Sequence, residues 1–195
     1  TFGNGTFGWR YVRKFFGSLG DNPLKGVRVR LCARGMNGHT LDVYLQTGGY
    51  QGLERALSMT PEQVHDEVKA ATIQGRGGAG FPAGAKWGLI APGNYPRYLV
   101  INGDESEPGT YKDRVIIERD PHLLLEGVLI TAYAIRAEQA FIYIRGEMPF
   151  AHERMIQAVN DAYRAGYVGR NVLGKPWGVE VVVHWGAGAY IVGEE

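Results

Sequence analysis

Between Gly75 and Lys86 the chain reads Gly-Arg-Gly-Gly-Ala-Gly-Phe-Pro-Ala-Gly-Ala-Lys, five glycines in its first ten residues. A backbone without Cβ atoms can adopt positive φ and let a ligand lie against the peptide plane. Successive N–H groups in such a loop form a concave nest for anions, and Arg76 and Lys86 add the fixed charge a phosphate attracts. Gly75, Gly77 and Gly80 satisfy G-x-G-x-x-G, but the dinucleotide form of that pattern follows a strand, and residues 65–72 read as helix. No Gly-Lys-Ser/Thr occurs, which excludes a Walker loop. The plain alternative is a glycine-rich turn with two solvated cations.

A second cluster, Asp104-Glu105-Ser106-Glu107-Pro108-Gly109, sets three carboxylates within four residues. Carboxylates repel phosphate but accept hydrogen bonds from hydroxyl and amide groups, so this turn suits a sugar or polyol. A solvated Pro-Gly turn is its simpler reading. The end of the chain, Gly186-Ala-Gly-Ala-Tyr190-Ile-Val-Gly193-Glu194-Glu195, repeats the combination of glycine loop, aromatic ring and acid pair. It stops where a helix should begin, so a truncated chain is expected. Ser18, Ser58 and Ser106 have no G-x-S-x-G setting, and no nucleophile–base set is legible. These residues describe a pocket that holds a phosphorylated, polyhydroxylated ring system, with a cofactor carrying the chemistry.

The elements that position these segments follow from periodicity and capping. Residues 53–57 read as a short helix, and Thr60-Pro61-Glu62-Gln63 starts another that runs to about Thr72. Helix resumes over 83–90. Residues 98–102 form a buried strand. Thr110 is the expected cap of the next helix, and Asp120-Pro121 begins a long apolar one to Ala137. Strands over 140–145 and 179–184 flank a helix over 150–165 that ends at Gly166. Strands alternating with helices predict β-α-β units. The expected fold is therefore α/β: a three-layer, Rossmann-like, mostly parallel sheet with flanking helices. Ligands of such sheets sit beyond the carboxyl ends of the strands. Here those ends are Asn102-Gly103-Asp104, Arg145-Gly146-Glu147 and Trp185-Gly186-Ala187-Gly188.

Composition narrows the class. A length of 195 residues, 45% hydrophobic and 21% charged, fits a globular domain with a sizeable core. A net charge of +1 argues against nucleic acid as the partner. Residues 1–34 nonetheless carry seven Lys/Arg against Asp21 alone, leaving fourteen bases and nineteen acids beyond them. Residues 1–39 therefore read as a basic arm, either loosely ordered or docking on an acidic partner, with Val27–Leu31 a candidate edge strand. A single cysteine, Cys32, excludes a cysteine-ligated cluster built by this chain alone. The five histidines lack metal-ligand spacing, and no apolar run reaches the length of a spanning helix.

Three segments together carry a resemblance. Gly75–Pro82, Asn102–Gly109 and Gly186–Glu195, with Tyr-Ile-Arg-Gly-Glu at 143–147, are similar in order and spacing to the flavin-binding subunit of respiratory complex I. The same module occurs in the diaphorase subunits of NAD-reducing hydrogenases and formate dehydrogenases. The likeness covers residues 40–195, the expected FMN/NADH-binding domain. It implies an NADH dehydrogenase flavoprotein subunit, in which FMN accepts hydride from NADH and electrons pass singly through iron–sulfur clusters towards quinone. Carried over by motif, Gly75, Arg76, Gly77, Gly78, Lys86, Asn102, Asp104, Glu105, Gly186, Gly188, Tyr190, Gly193 and Glu194 would contact FMN. Gly77, Gly80, Phe81, Gly84, Glu107 and Glu195 would contact NADH. None is an acid–base catalyst; their work is orientation.

The resemblance also implies partner subunits of the peripheral arm bearing iron–sulfur clusters, no membrane span of its own, and a cytoplasmic or matrix-side location beside the inner membrane. The family's four-iron–four-sulfur cluster and ubiquitin-like domain have no counterpart here. Three positions depart from the family pattern: Gly103 stands for Ala, Val192 for Cys, and Leu89 for an aromatic that helps to hold NADH. A soluble diaphorase and a truncated, non-catalytic nucleotide-binding remnant are the alternative readings.

Overall fold

The computed structural model describes residues 37–75, 79–93 and 95–190. The arm expected over residues 1–39 and its edge strand at 27–31 fall almost wholly outside these residues. Three parallel strands, β1 (Tyr98–Gly103), β2 (Gln139–Ile144) and β3 (Glu180–Trp185), form a sheet in the order β1-β2-β3. Their register is even, so Gly103, Ile144 and Trp185 end side by side. The parallel α/β sheet with flanking helices expected from the sequence is present.

Between the strands run α5 (Lys112–Arg119), α6 (Pro121–Ile135) and α7 (Pro149–Arg164); before them come α1 (Leu41–Gln46), α2 (Gln51–Ala56), α3 (Pro61–Ala70) and α4 (Ala83–Gly88). Helix α6 is apolar round most of its circumference and buried on most of its length, as its Leu-Leu-Leu and Val-Leu-Ile runs require. It packs on the sheet with one side and receives α2 and α3 on the other. The layers thus stack on one side of the sheet: strands, then α6 and α7, then the short helices. Leu99, Ile101, Ala140, Ile142, Val181 and Val183 point into that core. The opposite face carries Val100 at 65% and Val182 at 37% exposure, so no described element covers it.

Local chemistry explains the ends of the helices. Thr60 Oγ1 accepts the Gln63 N–H at 3.3 Å while Gln63 Oε1 accepts the Thr60 N–H at 2.8 Å, the capping box that starts α3. Helix α6 ends where Arg136 turns left-handed (φ 58°), and α7 where Gly166 does (φ 78°). One boundary differs in kind from the sequence expectation. Tyr111, not Thr110, occupies the N-cap of α5 and makes no side-chain cap. Glu105 does that work from upstream: its Oε1 accepts the Asp113 N–H at 2.9 Å and its Oε2 the Arg114 N–H at 3.0 Å. A carboxylate there satisfies two orphan donors and complements the helix dipole. Glu105→Ala should therefore lower stability by about 1–2 kcal/mol, read as a shifted urea midpoint with unchanged slope. An unshifted midpoint would show that α5 needs no such cap.

Candidate functional site

The site is built on the carboxyl ends of the strands, where parallel pairing brings residues far apart in sequence into one row. Gly103 permits the tight approach of β1 to β2, since a Cβ there would lie 2.6 Å from the Tyr143 carbonyl oxygen. Beyond it the chain turns. Asn102 Oδ1 accepts the Asp104 N–H at 2.9 Å, and the Ser106 hydroxyl donates to Asp104 Oδ1 at 2.6 Å. Asn102 and Glu107 are exposed, Asp104 is half-buried, and Glu105 is buried beneath them with both oxygens on α5.

The β3 end meets this turn from the other side. Gly186 donates its N–H to the Ile144 carbonyl at 2.8 Å and lies so close to Tyr143 that a Cβ would stand 2.5 Å from its hydroxyl. Gly188 takes φ +90°, which a side chain would resist. The Tyr190 hydroxyl then donates to Glu107 Oε2 at 2.7 Å, a contact between residues 83 apart in sequence. That bond holds the phenol's proton, so the Tyr190 pKa is raised, chiefly by Glu107. Arg145 donates from Nε to Glu147 Oε2 at 2.9 Å and from Nη1 to the Glu105 carbonyl at 3.1 Å. Trp185 Nε1 donates to the Gly146 carbonyl at 2.9 Å, and its indole lies 4.5 Å from the His152 ring. The sequence marks the ends of β2 and β3, where Arg145, Glu147 and Trp185 stand, without assigning these residues a binding role; His152 reaches the β3 end from α7.

The glycine loop is anchored differently, by helices. The Gly75 N–H donates to the Phe81 carbonyl at 2.9 Å and the Ala83 N–H to the Ile73 carbonyl at 2.7 Å, closing the loop at its base. Gly84 abuts α3, where a Cβ would lie 2.5 Å from Lys69 Cα, and its carbonyl sits 2.6 Å from His65 Nε2. Gly80 has φ +65° and open space where a Cβ would project. Phe81 is half exposed, and Lys86 and Leu89 are exposed on and just after α4. Arg76, Gly77, Gly78, Gly193, Glu194 and Glu195 lie outside the described residues.

Such a row of amide, carboxylate and phenol groups on closely packed glycine backbone fits a hydroxyl-rich ring-bearing ligand. Among the described residues no cluster of His, Cys, Asp and Glu could hold a metal, and no helix is long and apolar enough to cross a membrane. Fold and site together define an α/β module whose polar residues gather at the carboxyl ends of a parallel sheet, where ligands of such sheets sit.

Residues 68–195 match the family model described as the Nuo51 FMN-binding domain, and the chain belongs to that family. It is 54% identical over 157 residues to an NADH-quinone oxidoreductase subunit of Aquifex aeolicus, across 80% of this chain and 37% of that protein. Against the corresponding NADH-quinone oxidoreductase subunit of Escherichia coli it is 46% identical, over 80% of this chain and 36% of the relative. A solved NAD+-reducing [NiFe]-hydrogenase in its air-oxidized state superposes with a TM-score of 0.63 at 32% identity, across 77% of this chain and 25% of that one. The chain therefore spans under two fifths of the length of these curated relatives.

Proposed function

We propose that this chain is the FMN- and NADH-binding portion of an NADH-oxidising flavoprotein subunit, of the kind present in NADH-quinone oxidoreductases. The observation that carries it is the meeting of two distant motifs at the strand ends, sealed by the bond from Tyr190 to Glu107. Family membership and the high identity to NADH-quinone oxidoreductase subunits support the same reading. Bound FMN would supply the two-electron to one-electron conversion. This chain's own residues would orient the reactants. Gly75, Arg76, Gly77, Gly78 and Lys86 would face the flavin and its phosphate; Asn102, Asp104 and Glu105 would bound the ribityl side, Glu105 by setting the turn. Gly186, Gly188, Tyr190, Gly193 and Glu194 would line the ring. Gly77, Gly80, Phe81, Gly84, Glu107 and Glu195 would form the NADH side, with Gly84 holding the loop close to α3. The electrons would leave to iron–sulfur centres on partner subunits of a peripheral arm, beside the membrane. The hydrogenase likeness supports a soluble diaphorase as the second reading.

The test is the visible spectrum of the protein after FMN titration, before and after anaerobic NADH. A flavin band that is retained through gel filtration and bleaches with NADH is the expected result; a protein that ignores FMN overturns the reading. Gly80→Val should abolish retention, because it fills the open space at Gly80 and forces a branched residue to φ +65° at a cost of about 1–3 kcal/mol. Full flavin occupancy in that variant would remove Gly80 from the site.

A further inference from the structure

The acidic turn poses an electrostatic problem. Asp104, Glu105, Glu107 and the nearby Glu147 set four carboxylates round the ends of β1 and β2. Like charges so gathered repel unless a cation sits among them. Arg145, the first residue after β2, sits there with a half-buried side chain. Its planar fork grips Glu147 with two nitrogens, Nε at 2.9 Å from Oε2 and Nη2 at 3.3 Å from Oε1. The remaining nitrogen, Nη1, reaches across to the Glu105 carbonyl at 3.1 Å, forty residues away in sequence. Only a guanidinium offers donors in both directions from one rigid plane.

We propose that Arg145, held in place by Glu147, is a positioning residue that latches the acidic turn to the end of β2 and so sets the β1 side of the flavin site. This rests on the FMN reading above. The latch has a fixed base. Gly146 lies so near β3 that a Cβ would stand 2.4 Å from the Gly186 carbonyl oxygen, and its own carbonyl receives the Trp185 indole N–H. The Arg145 backbone N–H donates to the Gly103 carbonyl at 3.3 Å. The residue carrying the fork is thus tied to the end of β1 and its neighbour Gly146 to the end of β3, and the fork transmits that position to Glu105. Glu105 in turn starts α5 through its carboxylate, while Glu107, two residues on, receives Tyr190. Its side-chain nitrogens are engaged by Glu147 and the Glu105 carbonyl, so Arg145 acts through the turn.

The experiment compares wild type, Arg145→Gln, Arg145→Lys, Glu147→Gln and the double variant Arg145→Gln/Glu147→Gln in the full chain. FMN affinity is read by flavin fluorescence quenching, and amide hydrogen exchange is followed over residues 103–111 and 139–144. Arg145→Gln should weaken FMN binding about tenfold, with faster exchange in the turn and unchanged protection in β2. Arg145→Lys keeps the charge without the fork and should recover only part of the affinity. Glu147→Gln should shift both readouts in the same direction, and the double variant should match Arg145→Gln alone because Glu147 acts through Arg145. Wild-type affinity with unchanged turn exchange in Arg145→Gln overturns the latch, as does full additivity in the double variant. A wild type that takes up no FMN overturns the functional reading instead, and the exchange comparison still decides the latch. Should Arg145→Gln leave no folded protein, Arg145→Lys carries the same comparison.

Discussion

Replacing Glu126 with Ala should lower the free energy of unfolding by about 3–5 kcal/mol. The side chain is fully buried on α6, within an apolar stretch that has no other charge. Its Oε2 accepts the Tyr50 N–H at 3.1 Å and the Tyr44 hydroxyl, and its Oε1 accepts the Leu53 N–H at 3.0 Å. Gly52 makes room, since a Cβ there would stand 2.7 Å from Oε1. One carboxylate thus caps the N-terminus of α2 from another helix and anchors the Tyr44 phenol. Removing it strands several buried donors, each costing about 1–3 kcal/mol where water cannot reach.

Burial raises the Glu126 pKa against the opposing pull of these bonds. The folded state therefore holds a proton at this position more tightly than the unfolded chain does. The corresponding stabilisation is complete below the unfolded carboxyl pKa and fades as pH rises through the folded one. Urea unfolding of wild type and Glu126→Ala across that range should show a gap that narrows as pH rises. A gap that widens would reverse the sign of the linkage, and a loss under about 1 kcal/mol would mean that water reaches the stranded donors.

The second large effect is expected at Gly84. A side chain there meets the Lys69 backbone, with Cα at 2.5 Å and N at 2.7 Å, so no rotamer change can relieve it. Gly84→Val should cost about 3 kcal/mol through overpacking of α4 on α3. Because α4 begins at the base of the glycine loop, the same change should displace Phe81 and remove the NADH-dependent bleaching. Gly88, one turn later, is the internal comparison. A Cβ there meets only the His65 ring at 3.5 Å, an ordinary contact. Gly88→Ala should leave stability within about 1 kcal/mol of wild type, on the favourable side given helix propensity. Equal thermal midpoints for the two variants would show that the α3–α4 contact tolerates a side chain.

Much of the architecture was legible locally. The Thr60–Gln63 box places the start of α3, Gly166 ends α7, and apolar runs mark β1, β2 and β3 to within a residue or two, because caps and apolar runs act over a few neighbouring residues. Strand β1, expected to be buried, instead alternates exposed and half-buried residues because one face of the sheet is uncovered by the described elements. Nothing local in the sequence marks helix α1. It is a six-residue element whose one buried side chain, Tyr44, depends on α6 for its place. Short helices have little propensity of their own and exist by packing.

The sequence by itself determined the parallel α/β class and the three strand ends that lie side by side, since alternation of strand and helix leaves few ways to connect a sheet. It also carried the motifs that mark the family. Tertiary structure alone decided what the acids do. Glu105 stands in an acidic run that reads as a ligand-facing turn, yet its carboxylate caps α5; Glu126 reads as a break in an apolar helix, yet it caps α2. Arg145 and Tyr190 likewise acquire partners forty and eighty-three residues away. Local propensity acts over one or two turns, whereas a buried or shared charge is settled by whichever distant donors the packed core brings within about 3 Å.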